Sequence, residues 1–495
     1  MSGVAREGGR CVGCYVVLAV IALVALTVSG VWNPWPGLWD AVNRSQPISE
    51  PDVTWQRRIG GTPKSVTIAG DAVVVEQRTR VEGRSLATGA PLWERKADWA
   101  AVAGGGRDSV VAVGKLLVKG YELLDPTTGA ALRRDEAAVG VWTYRNLLLD
   151  ARCAQATDCT VSAWDPRGTR PLWTAFLPGV ESGFFADNPD LLGTRRLGGH
   201  RIDPGAAGPE PVPALLGFPV DGRVHVLETA TGRVVRDVEP AREERLVTVG
   251  GRLLRIAARS QDGTCYFSIS GQDVATGREV WRRDGLNLRT ADNAGCVQRE
   301  DPQGARNVVV GVAPDARETV VDAYDGRLLW VGVVGEKLLA VDDRHVLART
   351  KDRRSVVGRE LGGDRPRWSR KVGEKVSGAL TPYAVVLSED GPSRIVAVDP
   401  RDGRALANLR TSANVLAVGP AGMVVGEGRE IGYVRFAGAA GGGPPDGGAR
   451  PPGGVDGGGS RPGDGPGGDP GGGPAPVESC GPKRAGCPDP PGKDG

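Results

Sequence analysis

Histidine is nearly absent from this sequence. Only His200, His225 and His345 occur, far apart and without a partner at HxxxH-like spacing, so the pattern offers no local histidine metal motif. His345, in "DDRHVLART", reads as a surface or strand residue. An excess of charge is missing too. The 62 basic and 59 acidic residues leave no field to steer the chain onto nucleic acid or an acidic substrate. There is no Walker loop, no G-x-S-x-G elbow and no HExxH helix. No two cysteines are adjacent, no c-type haem motif occurs, and no run keeps helical period after residue 31. The sequence therefore nominates no catalytic, cofactor-binding or metal-binding set.

What is present begins with "CVGCYVVLAVIALVALTVSGVW", an uncharged apolar run from Cys11 to Trp32. Some 20 helical residues cross a hydrocarbon layer of ~30 Å. Arg6 and Arg10 precede the run, and Trp32, Trp35 and Trp39 follow it. These flanks predict a signal anchor over residues 11–31, ten cytoplasmic residues before it, and a juxtamembrane linker over 32–51. A cleaved signal peptide is the alternative, with "VSG" as its small-residue site. Both readings export the main domain, and the anchor reading makes it a single-pass protein of the cell membrane. Cys11-x-x-Cys14 sits at the head of the apolar run and reads as small residues in a helix.

Beyond the run, cysteines come in local pairs: Cys153 with Cys159, Cys265 with Cys296, and Cys480 with Cys487. Paired cysteines suit an oxidising compartment. Residues 437–495 are dominated by Gly, Pro and Asp, with almost no large apolar side chain, and predict a disordered tail that cannot offset the entropy of folding.

Between residues 52 and 436 short Val-, Leu- and Ile-rich runs alternate with Gly, Asp and Pro. A phrase recurs: an apolar strand, Asp or a similar residue, a turn ending in Gly, then an aliphatic residue and often Trp. It is clearest in "DVATGREVW", "DAYDGRLLW", "SLATGAPLW" and "DPRDGRALA". Its Asp is seen at Asp125, Asp165, Asp273, Asp322 and Asp399, its Gly at Gly89, Gly129, Gly232, Gly277, Gly326 and Gly403, and its Trp at Trp93, Trp173, Trp281, Trp330 and Trp368. Phrase ends are mostly 38 to 49 residues apart, the length of a four-stranded propeller blade. Asp and Gly make the turn, while Trp buries a large area between blades with its N–H on a polar partner. Trp55, in a strand with no phrase before it, matches the orphan strands at 415–436 and predicts a shared closing blade. The fold expected is an all-β propeller of four-stranded antiparallel blades. Eight is the preferred number, because the phrase at 226–236 matches weakly, and the count admits seven or nine. The long gap before that phrase reads as a surface loop insertion at 187–214.

The phrase resembles the tryptophan-docking repeat of the quinoprotein-type, PQQ-binding-like propellers. That resemblance implies one of two functions: quinone-dependent dehydrogenation, or protein binding on a quinone-free ring of the BamB type. The dehydrogenases typically stack quinone on an adjacent-cysteine disulfide and hold calcium with clustered carboxylates, and those parts are not found. The expectation is therefore a non-catalytic scaffold without cofactor that binds envelope protein, with the insertion and the Cys153–Cys159 loop as candidate contacts and ordinary tolerated surface loops as the alternative reading of both. A carbohydrate or envelope-polymer module is a further alternative. Arg-over-Lys usage with heavy Gly and Ala suggests a GC-rich bacterial genome.

Overall fold

The computed structural model describes residues 53–438, apart from 155–157, 180–190, 221, 242–243, 291–294, 297 and 299. The expected anchor, the linker, the tail and the Cys480–Cys487 pair lie outside the described residues. By compactness the chain divides into residues 1–440 and 441–495, and the second unit lies wholly outside them. Among the described residues there is no α-helix, and no helix long and apolar enough to cross a membrane.

Nine antiparallel sheets follow one another along the chain. Blades 1 to 8 span residues 65–95, 99–135, 138–178, 215–238, 244–284, 308–331, 337–371 and 375–409. Blade 9 joins Asn414–Gly419, Gly422–Glu427 and Glu430–Arg435 to the first strand of the chain, Val53–Arg58. There Trp55 pairs with Tyr433 and stacks on its ring at 6.1 Å. The two orphan runs thus complete each other and close the ring.

The strand sequences explain their places. Second strands such as Ala72–Glu76 and Val385–Asp390 are almost wholly buried, because neighbouring blades cover both faces, and they read as continuous Val-rich runs. Fourth strands such as Pro91–Arg95 turn only Trp93 inward and expose the rest. First strands of adjacent blades pack side by side around the axis. The core accordingly lies between blades: Val74 and Trp93 of blade 1, for example, meet Val102, Val111 and Leu124 of blade 2.

The preferred count of eight is corrected to nine. The phrase at 226–236 lacks Trp, yet its Gly232 N–H bonds to the Glu228 carbonyl at 2.9 Å as in the strong phrases. Seven of the blades have four regular strands, while blades 4 and 6 have three. Irregular chain takes the inner position in each. Gly217 N–H reaches the Leu191 carbonyl in blade 4, and Val310 N–H reaches Gln303 in blade 6.

Candidate functional site: a plugged ring with two unlike faces

Antiparallel strands put the first-to-second turns and the phrase turns at one end of every blade. The second-to-third turns and the blade-to-blade links lie at the other. These are called here the phrase face and the link face.

On the phrase face the repeat residues form a docking circuit. Five of the indole N–H groups donate to the carbonyl that follows the Asp position of the next blade. Trp55 reaches Leu86 at 2.8 Å, Trp93 reaches Pro126 at 2.8 Å, and Trp173 reaches Thr229 at 2.9 Å. Trp281 reaches Ala323 at 3.1 Å and Trp368 reaches Pro400 at 3.0 Å. Trp330 is buried among Val320, Leu338 and Val346 between blades 6 and 7. The phrase glycine lies on the preceding blade's indole. A Cβ at Gly89 would stand 2.6 Å from Trp55, at Gly129 2.5 Å from Trp93, at Gly232 2.4 Å from Trp173, and at Gly403 2.7 Å from Trp368. An indole buries on the order of 200 Å², an upper contribution of about 5 kcal/mol per junction.

The aspartates make the turns. Asp125 accepts from Thr127 and Thr128 N–H at 3.0 Å, Asp165 from Arg167 at 3.0 Å, and Asp273 from Thr276 at 3.0 Å. Asp322 and Asp399 do the same for Tyr324 and Arg401 at 2.8 and 2.9 Å. Backbone and side-chain hydrogen bonds from Thr276 hold the Asp273 carboxyl below its ordinary value. At Asp125 desolvation works to raise it, and hydrogen bonds from Thr127 and Arg167 outweigh that.

Arginine fills two docking positions in place of tryptophan. Arg133 occupies the place in blade 2, with its guanidinium 3.9 Å from the Trp164 ring centre and a bond of 3.3 Å to the Gly168 carbonyl. Arg236 does so in blade 4, against Gly277. Both stand four residues after the phrase glycine, as Trp93 and Trp281 do, so the offset carried a signal that residue type hid. In blade 8 the same offset falls on Ala407, and blade 9 offers no phrase to dock on.

The insertion is not a surface decoration, which corrects that expectation. Its described part, 191–214, runs along the innermost strands and occupies the middle of the ring. Arg195 N–H bonds to Pro302 of the blade 5–6 link, and Thr194 Oγ1 donates to the Ala305 carbonyl. Further on, Ile202 pairs with Val415 of blade 9 and packs among Val386, Ala413 and Val418. Arg145 N–H then takes the Glu210 carbonyl, and Val212 N–H takes Asn146 Oδ1, both in blade 3. Arg201 crosses the poorly docked seam, bonding Glu389 and Asp390 of blade 8 at 3.4 and 3.2 Å and Thr411 of the link at 3.0 Å. Apolar Leu191, Ile202, Ala206 and Ala207 drive this burial.

A cavity of about 220 Å³ remains beside the plug, lined by Trp142, Tyr144, Thr194, Arg195, Glu210 and Arg306 among others. Burial and the Glu210 carboxylate push the Tyr144 hydroxyl up from its ordinary value. The residues do not fit a quinone with calcium. The space is smaller than the roughly 300–1,000 Å³ of cofactor pockets. Its cations are committed: Arg195 to Asp301 at 2.9 Å and Arg306 to Asp343 at 3.3 Å. No group of three His, Cys, Asp or Glu among the described residues is placed to hold a metal. The disulfides Cys153–Cys159 and Cys265–Cys296 both form, but at the link face, away from the axis. His200 and His345 lie 3.5 Å from Asp390 and Asp342 respectively, and His225 sits in the strand Arg223–Glu228.

A family model described as outer membrane protein assembly factor BamB matches residues 157–406. The chain belongs to the PQQ-like β-propeller family. Solved structures similar to it include BamB from Moraxella catarrhalis, at 16% identity over 78% of this chain and 99% of that one, with a TM-score of 0.33. Another is a quinohemoprotein alcohol dehydrogenase from Pseudomonas putida, at 11% identity over 80% and 79%, with a TM-score of 0.36. A comparison with curated proteins gives no match. In this chain the ring centre holds the described part of its own insertion.

Proposed function

We propose that this protein is a non-catalytic interaction scaffold of the bacterial cell envelope, held to the membrane by residues 11–31 and exposing its propeller outside the cytoplasm. The observation that carries the reading is the family match over residues 157–406, whose description is of an assembly factor. The occupied channel agrees with it, since a filled centre leaves the outer faces as the surfaces for partners. Apolar residues 11–31 and the paired cysteines support an exported, anchored ring.

Crosslinking in intact cells, followed by purification through the propeller, tests the proposal. The expected result is a defined envelope protein recovered in constant proportion. Recovery of none overturns it. So does a visible absorption band on adding quinone and calcium together with turnover of an alcohol.

A further inference from the structure

Every lysine between residues 53 and 438 lies on the link face. Lys64 and Lys96 lie in links, Lys337 and Lys375 begin first strands, and Lys371 ends a fourth strand. Lys115, Lys119 and Lys351 lie in second-to-third turns. All are exposed, and among the described residues only Lys64 enters an ion pair, with Glu76 at 3.6 Å. Arginines show no such segregation. On the phrase face Arg167, Arg252, Arg327 and Arg404 pair with the turn aspartates.

The same face carries apolar tips. The blade 2 turn reads Lys115-Leu116-Leu117-Val118-Lys119, with Leu116 61%, Leu117 102% and Val118 60% exposed. In the link from blade 6 to blade 7, Val333 and Val334 are 63% and 58% exposed, three residues before Lys337. These tips stand on separate blades instead of converging in one groove, so they suit a flat, extended apolar layer better than a protein hot spot, which clusters its anchors in a pocket.

We propose that the link face docks on an anionic lipid surface, with Leu116–Val118 and Val333–Val334 dipping below the headgroups and the lysines among the phosphates. Lysine suits the task because its stem lies along apolar surface while the ammonium reaches the polar layer. An anchor at residues 11–31 permits this orientation. The ring begins at Val53 on the phrase face, and residues 32–52 can extend about 70 Å, against roughly 20 Å for a six-residue strand. The inference concerns orientation on the membrane and does not depend on which protein the scaffold binds.

Hydrogen exchange read by mass spectrometry tests it, on the full chain reconstituted in vesicles of phosphatidylcholine alone or with phosphatidylglycerol at about a third of the lipid. Residues 114–120 and 331–337 are expected to exchange about tenfold more slowly on the anionic vesicles, with the effect fading as salt rises. Lys115→Glu with Lys119→Glu, or Leu116→Ser, Leu117→Ser and Val118→Ser together, is expected to abolish the difference. Both variants change exposed residues, and unchanged exchange in the phrase turns 86–90 and 322–327 verifies that each still folds. Equal exchange on both vesicles overturns the proposal. Protection that spreads to the phrase turns overturns it, as does protection in lipid-free detergent that grows with protein concentration and so marks an interface between copies.

Discussion

Replacing Gly326 by alanine isolates the contact that holds one blade to the next. Gly326 has φ +74°, and a Cβ there would stand 2.5 Å from Trp281 Cδ2 and 2.7 Å from its Cε3. Gly428, in the exposed hairpin of blade 9, has φ +60° and nothing within 4 Å of an added Cβ. Both substitutions carry the left-handed backbone cost of about 1–2 kcal/mol. Only Gly326→Ala must also displace a packed indole, at about 1–3 kcal/mol, and weaken the Trp281 bond to the Ala323 carbonyl. The totals are roughly 2–5 against 1–2 kcal/mol. An unfolding entropy of about 2.1 cal/mol/K per residue gives roughly 0.8 kcal/mol/K for a ring of this size. The expected falls in unfolding temperature are then about 3–6 °C for Gly326→Ala and about 1–3 °C for Gly428→Ala, followed by near-UV circular dichroism. Equal falls refute the docking explanation and leave only backbone strain.

Three other expectations rest on different contacts. Arg201→Ala removes bonds to Glu389, Asp390 and Thr411 across the blade 8–9 seam, at on the order of 2–4 kcal/mol, and should speed hydrogen exchange in Val385–Asp390 and Asn414–Gly419. Unchanged exchange there would mean that the plug does not hold the seam. Removing Cys265–Cys296, of separation 31, should cost about 3.7 kcal/mol, and removing Cys153–Cys159, of separation 6, about 2.4 kcal/mol. Urea midpoints of the two double-serine variants check that order, and its reversal counts against loop-closure entropy as the cause. The folded pKa of Asp273 is depressed below its ordinary 3.8, so its contribution is present above that value and lost as pH falls through the folded one. Asp273→Asn should therefore flatten the loss of stability below about pH 4 without changing the slope near neutrality. An acid titration followed by tryptophan fluorescence checks it.

Local chemistry was readable because it acts over a few residues. Asp-x-x-x-Gly specifies a turn whatever surrounds it, and the Val-rich second strands announce burial on both faces. The offset from Gly129 to Arg133 and from Gly232 to Arg236 was equally visible. What was not visible is that a guanidinium can lie on the next blade as an indole does, since that depends on Trp164 and Gly168 being there to receive it. Blade number failed narrowly for the same reason: a phrase without Trp looked incomplete until its partner surface was known.

The sequence by itself determined a ring of repeated antiparallel blades, the Asp–Gly turns, the burial of tryptophan between blades and the local pairing of Cys153 with Cys159. Only the tertiary structure decided that residues 191–214 turn inward, because no period marks them and their apolar side chains find cover only where inner strands from many blades converge. It also decided that lysines from Lys64 to Lys375 share one face. Which end of a blade a loop occupies depends on how many strands precede it, a parity that exists only once the chain is wound into its sheets.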